Sequence, residues 1–174
     1  MLRNVQRKVM PVLLLLVRHA LAAERSETDY PDDALRPLVG RGRKIQRRMS
    51  RRLAKRGVAP SMILSSPWTR AWQTAGILAR EVGLAKSARE ATAALAQEPN
   101  LEALAAAVGS RTEDEVVALV GHEPWMGELA SQLLTGSPSR LAIRFPKSAV
   151  LAVRTADLKP GAAQLAFFLT PRGS

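Results

Sequence analysis

The 174-residue sequence contains no cysteine and two histidines. Disulfides and thiolate metal sites are thereby excluded, and two imidazoles alone do not make a typical zinc site. No metal or cofactor is expected. Aromatic residues are scarce as well, with three Trp, three Phe and one Tyr. The core therefore has to be built from Leu, Val and Ala layered between helices and a sheet. The apolar run at 11–17 is far shorter than the roughly 20 residues a membrane span needs. Arg3, Arg7 and Lys8 before it and Ala20-Leu21-Ala22 after it imitate a signal peptide. Cleavage there would discard Arg18 and His19, so a buried first strand is the better reading, in a cytoplasmic protein.

Acidic residues are the remaining shortage: 15 Asp and Glu face 26 Lys and Arg, a formal charge of +11. Such a field attracts anions and speeds their encounter. It does not rank phosphorylated proteins, nucleotides, polyphosphate, nucleic acid or acidic membranes. Length and an apolar content of 47% suit one domain with a real core. The boundaries read as a basic N-terminal extension at 1–11, with Met10 as an alternative start, a domain at 12–170 and a tail at 171–174.

Three short apolar runs read as buried strands, each ending in polar or turn residues. Residues 12–17 end at Arg18-His19, residues 62–64 at Ser65-Ser66-Pro67, and residues 116–120 at Gly121-His122-Glu123-Pro124. Helical patterns occupy about 42–56, 68–83, 99–108 and 125–135. Two later runs, 149–154 and 164–169, complete the sheet after a loop at 136–146, with one of them antiparallel at an edge as the alternative to an all-parallel sheet. Strand followed by helix, repeated, predicts an α/β fold: a single-domain three-layer sandwich whose mostly parallel sheet is flanked by helices on both faces.

In such a sheet the functional crevice lies beyond the carboxyl ends of the strands, where this sequence puts both histidines. Ser66-Pro67 and Glu123-Pro124 read as helix starts, whose free N–H groups favour an anion. Arg18 and Arg70 add guanidinium forks suited to its oxygens. A neutral imidazole is a competent nucleophile toward phosphorus once oriented and surrounded by cations. Either histidine taken singly would be an ordinary structural residue; together with two arginine motifs they make a phosphate site.

Leu16-Val17-Arg18-His19-Ala20, Ser65 to Ala75 and Val120-Gly121-His122-Glu123-Pro124, in that order, resemble the histidine phosphatase superfamily, the phosphoglycerate mutase-like group. The compact length, Leu35-Arg36-Pro37-Leu38 and Gly42-Arg43 are similar to its small SixA-type phosphohistidine phosphatase branch, over about residues 12–155. The resemblance implies that His19 carries the phosphoryl group, that Arg18 and Arg70 bind phosphate, and that His122 is the second pocket histidine. Ala20 stands where much of the superfamily has Gly, and Val39 where Thr often follows Arg-Pro-Leu.

Larger members of the family supply a carboxylic acid. Glu98, Glu90 and Glu123 are candidates, but none sits in an acid motif and the acid stays unassigned. An imidazole leaving group, with a pKa of about 6.5, departs without one far more readily than an alkoxide. Metal-independent hydrolysis of phosphohistidine in a phosphoprotein is therefore the favoured reading. A phosphatase of small phosphoesters, a mutase and a non-catalytic anion-binding module are the alternatives.

Trp68 and Trp72, four apart on a helix, are expected to pack, and Trp125 to make a hydrophobic contact at a helix start. From Arg36 to Arg56 there are ten Lys or Arg and no acid, over an apolar stripe of Ile45, Met49 and Leu53. A basic amphipathic helix at 41–56 follows, ordinarily a solvated face. A docking surface for an acidic partner is the sharper alternative, and nucleic acid a weaker one. The pocket mouth is expected at 21–38 and 97–101.

Overall fold

Every second residue of β1 (Val12–Arg18) faces the same way, and this strand is buried on both sides. Val12, Leu14 and Leu16 enter one apolar cluster, whereas Leu13, Leu15 and Val17 enter another. A strand with no polar face must lie in the middle of a sheet covered twice. In the computed structural model, which describes residues 11–111 and 115–171, it does. Residues 1–10 of the expected extension and 172–174 of the expected tail lie outside the described residues.

The helices α1 (Gly40–Ala54) and α2 (Thr69–Val82) cover one face. On the other lie α3 (Leu101–Val108) and α4 (Trp125–Thr135). Met49 and Leu53 of the expected α1 stripe are fully buried, and Ile45 packs against their cluster. Truncating Leu15, fully buried between the sheet and the α1–α2 layer, to alanine is expected to cost about 2–5 kcal/mol, read as a lower urea midpoint. Val39 is the N-cap of α1 and offers no side-chain oxygen to the free N–H groups. Val39→Thr is expected to add about 1 kcal/mol. Gly42 is required by packing: a Cβ there would lie 2.1 Å from the Leu21 carbonyl oxygen.

The remaining strands are β2 (Met62–Ser65), β3 (Arg89–Ala91), β4 (Val116–Gly121), β5 (Val150–Thr155) and β6 (Gln164–Leu169). Their order is β3-β2-β4-β1-β5-β6, with β1 to β4 mutually parallel and β5 antiparallel to both its neighbours. The antiparallel strand is thus inside the sheet, beside β1, and not at an edge. The cause is the connection after α4, which returns to the carboxyl end of β1 as a loop, so that Val150 starts level with Val17. β3 was not foreseen: three half-exposed or exposed residues at a sheet edge carry no apolar pattern.

Register aligns the motifs. Arg18 pairs with Gly121 and Ser65 with Val120, so the ends of β2, β4 and β1 stand flush and adjacent. Among the described residues no helix is long and apolar enough to cross a membrane.

Candidate active site

His19 leaves β1 still in the sheet, its N–H donating to the Gly121 carbonyl at 3.0 Å. Its ring is buried, and Nδ1 lies 2.7 Å from the Ala20 carbonyl oxygen. A carbonyl only accepts, so Nδ1 carries the proton and Nε2 the lone pair. Nε2 has no hydrogen-bond partner among the described residues. The adjoining Ala20 N–H donates to Thr74 Oγ1 (3.0 Å), which donates to the Arg70 carbonyl (2.7 Å). This relay ties the His19 turn to α2.

The ring of His122 lies 5.1 Å from that of His19, centroid to centroid. Its Nε2 is 2.8 Å from Ser66 Oγ, and its Nδ1 is buried without a partner among the described residues. Ser66 Oγ also accepts the Trp68 N–H at 3.2 Å. When the hydroxyl proton is donated to Nε2, the imidazole proton sits on Nδ1. Burial, above all, lowers the pKa of both histidines to about 3, opposed at His19 by the Ala20 hydrogen bond and assisted at both by Arg70 and Arg18. Both rings are neutral at pH 7.

The two arginines are anchored by their far ends. Arg18 Nη1 donates to the Phe145 carbonyl at 2.6 Å. Arg70 Nη1 donates to the Asp33 carbonyl at 2.7 Å and Nη2 to Asp33 Oδ2 at 2.9 Å. In each, Nε is buried and lacks a partner among the described residues, so the side-on edge of the guanidinium is left to bind. Asp33 also faces Arg36, Nε to Oδ1 at 3.0 Å. Burial acts to raise its carboxyl, but Arg70 and Arg36 outweigh that and hold it below its ordinary value. Asp33 is therefore ionised and has no proton to give.

All four expected residues meet at one sheet edge. The candidate acids fare differently. Glu90 lies exposed on edge strand β3 and Glu98 is exposed beyond a short turn at 93–95, and neither bonds to the four. Glu123 is half-buried, and its Oε1 accepts the Gly127 N–H at 3.1 Å, a helix-capping contact. Burial raises its pKa, against the pull of Arg18. Of the expected mouth, 21–38 reaches the site through Asp33, whereas at 97–101 Asn100 caps α3 instead.

Helix α2 begins at Thr69 with Trp68 as N-cap, so Ser66 is not the cap and its hydroxyl serves His122. Trp68 is a site residue: its ring is 4.7 Å from His122, and the Arg70 guanidinium lies 4.7 Å over it. Trp72 takes the Arg89 guanidinium instead, at 4.0 Å. Trp125 meets His122 edge-on at 6.2 Å. Sequence reasoning missed Asp33 and Trp68 as site contacts, and placed Ser66 at the crevice but as a helix cap and not as the partner of His122. The Asp33-to-Arg36 spacing was legible; its reach across 37 residues to Arg70 was not. Among the described residues no group of three or more His, Asp or Glu is placed to hold a metal ion.

A family model described as histidine phosphatase superfamily, branch 1, matches residues 14–96. An uncharacterized protein of Picosynechococcus is 32% identical over 145 residues, covering 82% of this chain and 84% of its own length. Among solved structures, the protein histidine phosphatase SixA complexed with tungstate superposes with a TM-score of 0.76 at 25% identity, over 91% of this chain and 97% of its own. A SixA protein of Agrobacterium tumefaciens gives 0.71 at 24% identity, over 94% of this chain and 100% of its own.

Proposed function

Because the chain belongs to the histidine phosphatase superfamily, with the SixA fold and the phosphatase activity that go with it, we propose that it hydrolyses phosphohistidine in a phosphoprotein through a phosphorylated His19. The observation that carries this is the pair of neutral, buried imidazoles 5.1 Å apart between two anchored arginines. The His19 Nε2 lone pair attacks phosphorus, and the substrate's P–N bond breaks with its pair going to a ring whose other nitrogen already carries a proton, so that neutral imidazole leaves. Arg18 and Arg70 stabilise the non-bridging oxygens, and His122 donates to one of them from Nδ1. Water then attacks phosphorus, the P–N bond returns its pair to Nε2, and the water proton passes to solvent. No step calls for a metal.

The substrate preference rests on the acid. Among the described residues Asp33 is ionised, Glu90 and Glu98 are exposed and Glu123 accepts the Gly127 N–H through Oε1, so none is hydrogen-bonded to the four as an acid for an alkoxide, which favours imidazole as leaving group. Tungstate, a tetrahedral oxyanion, is bound by one structural relative, which agrees with a pocket for phosphoryl oxygens. The proposal includes a cytoplasmic location.

The groove on α1 supports an acidic phosphoprotein as the partner: Lys44, Arg47, Arg48, Arg51, Arg52 and Lys55 line it. The test is release of phosphate from a phosphohistidine peptide and from para-nitrophenyl phosphate, with chelator present. Alkaline quenching should trap phosphate on the wild type and none on His19→Ala. Turnover surviving in His19→Ala would sink the mechanism, and preference for the aryl ester would sink the substrate assignment. Phosphopeptide binding with no turnover of either substrate would favour a binding module.

A further inference from the structure

We infer that Lys147 is a third cationic ligand of the substrate's phosphoryl group, brought beside Arg18 by a strained turn; the inference rests on the phosphatase reading of the pocket. The turn runs from Pro146 to Ala149 and is closed by the Ala149 N–H on the Pro146 carbonyl at 2.9 Å. Its third residue, Ser148, has φ 64°, the conformation a type II turn demands there and that glycine adopts most easily. A serine held in it needs surrounding contacts that over-determine the backbone.

Those contacts are to the site itself. The Ser148 N–H donates to the carbonyls of Arg18 (3.2 Å) and His19 (3.3 Å), and Arg18 Nη1 donates to Phe145 at 2.6 Å. The strained turn is thus clasped at both ends to the two residues that begin the pocket. Lys147 occupies the corner between these clasps.

Its side chain is half-buried and makes no hydrogen bond or ion pair among the described residues. Burial first, then Arg18, Arg36 and Arg70, lower its pKa. A lysine stem is long enough to carry its ammonium into water, yet this one stays within the field of three guanidiniums. An anion shared among them removes the repulsion. A phosphoryl dianion has three non-bridging oxygens, and Lys147 adds a donor to those of Arg18 and Arg70.

Tungstate affinity, measured by calorimetry without turnover, and kcat/KM on aryl phosphates with leaving groups of different pKa test the assignment on Lys147→Met and Lys147→Arg. Lys147→Met is expected to lose roughly ten- to hundredfold in both quantities, equally for every leaving group, with an unchanged circular dichroism spectrum. Lys147→Arg is expected to recover most of it. Tungstate affinity within twofold of wild type would overturn the assignment. So would a loss in kcat/KM that grows with leaving-group pKa at constant tungstate affinity, since Lys147 would then deliver a proton. If wild type itself binds no tungstate, the pocket reading falls and takes Lys147 with it.

Discussion

Two regions of this molecule concentrate positive charge, and they are built in opposite ways. At the sheet edge, Arg18 and Arg70 are partly or wholly buried, and each is fixed by a backbone carbonyl. On α1, Lys44, Arg48, Arg51 and Lys55 are exposed, and Arg51 meets Glu81 at 2.6 Å. Exposed ions are screened by water and salt and hold no fixed geometry. Buried guanidiniums with one edge already occupied have little left to reorganise when an oxyanion arrives. Charge density alone would have pointed to α1; anchoring separates a site from a field.

That contrast can be broken by substitution. His19→Ala should lower kcat/KM for aryl phosphates by about a thousandfold or more, because no other group takes the phosphoryl. Arg70→Ala should lower it by about a hundred- to a thousandfold, as expected for removing a preorganised donor. Asp33→Asn should cost about ten- to a hundredfold by loosening Arg70, a positioning effect. Its signature is a double-mutant cycle: Asp33→Asn should add little in an Arg70→Lys background. A full additive loss there would assign Asp33 an independent role.

The buried histidines make the same contrast visible in stability. Their folded pKa of about 3 lies below the ordinary 6.5, so between these values the unfolded chain binds more protons. Stability is fully present above pH 6.5 and should fall as pH drops toward 3. Asp33, depressed by its arginines, adds a further loss below the ordinary carboxylate range. Urea midpoints from pH 7.5 to 4 should show the decline, and it should be shallower in His122→Gln. The smallest effect belongs to α1: reversing Arg47 and Arg48 to Glu should leave para-nitrophenyl phosphate kinetics within about twofold. For an acidic phosphoprotein it should raise KM and flatten the salt dependence. Equal effects on both substrates would tie α1 to the pocket itself.

The strands and helices were legible because each carries a period. β1 alternates between two cores, and α1 repeats Ile45, Met49 and Leu53 every four residues. The convergence of the four proposed site residues was legible because they sit at strand ends or one helical turn beyond. β3 was hidden, since its three residues bury nothing that would leave a pattern. Trp68 was misread as a packing residue because its spacing to Trp72 is helical, whereas the helix starts after it. The acid candidates were judged by position in the chain, and the exposure of Glu90 and Glu98 is a matter of how the chain is folded.

What the sequence by itself determined is the layered α/β fold and the meeting of Arg18, His19, Arg70 and His122, because hydrophobic period and strand direction are local properties that parallel pairing turns into shared edges. Only the tertiary structure decided the antiparallel place of β5, the reach of Asp33 to Arg70, and the clasp of Ser148 on Arg18 and His19. These depend on where loops travel, and a loop's path is set by the partners its polar groups find across space.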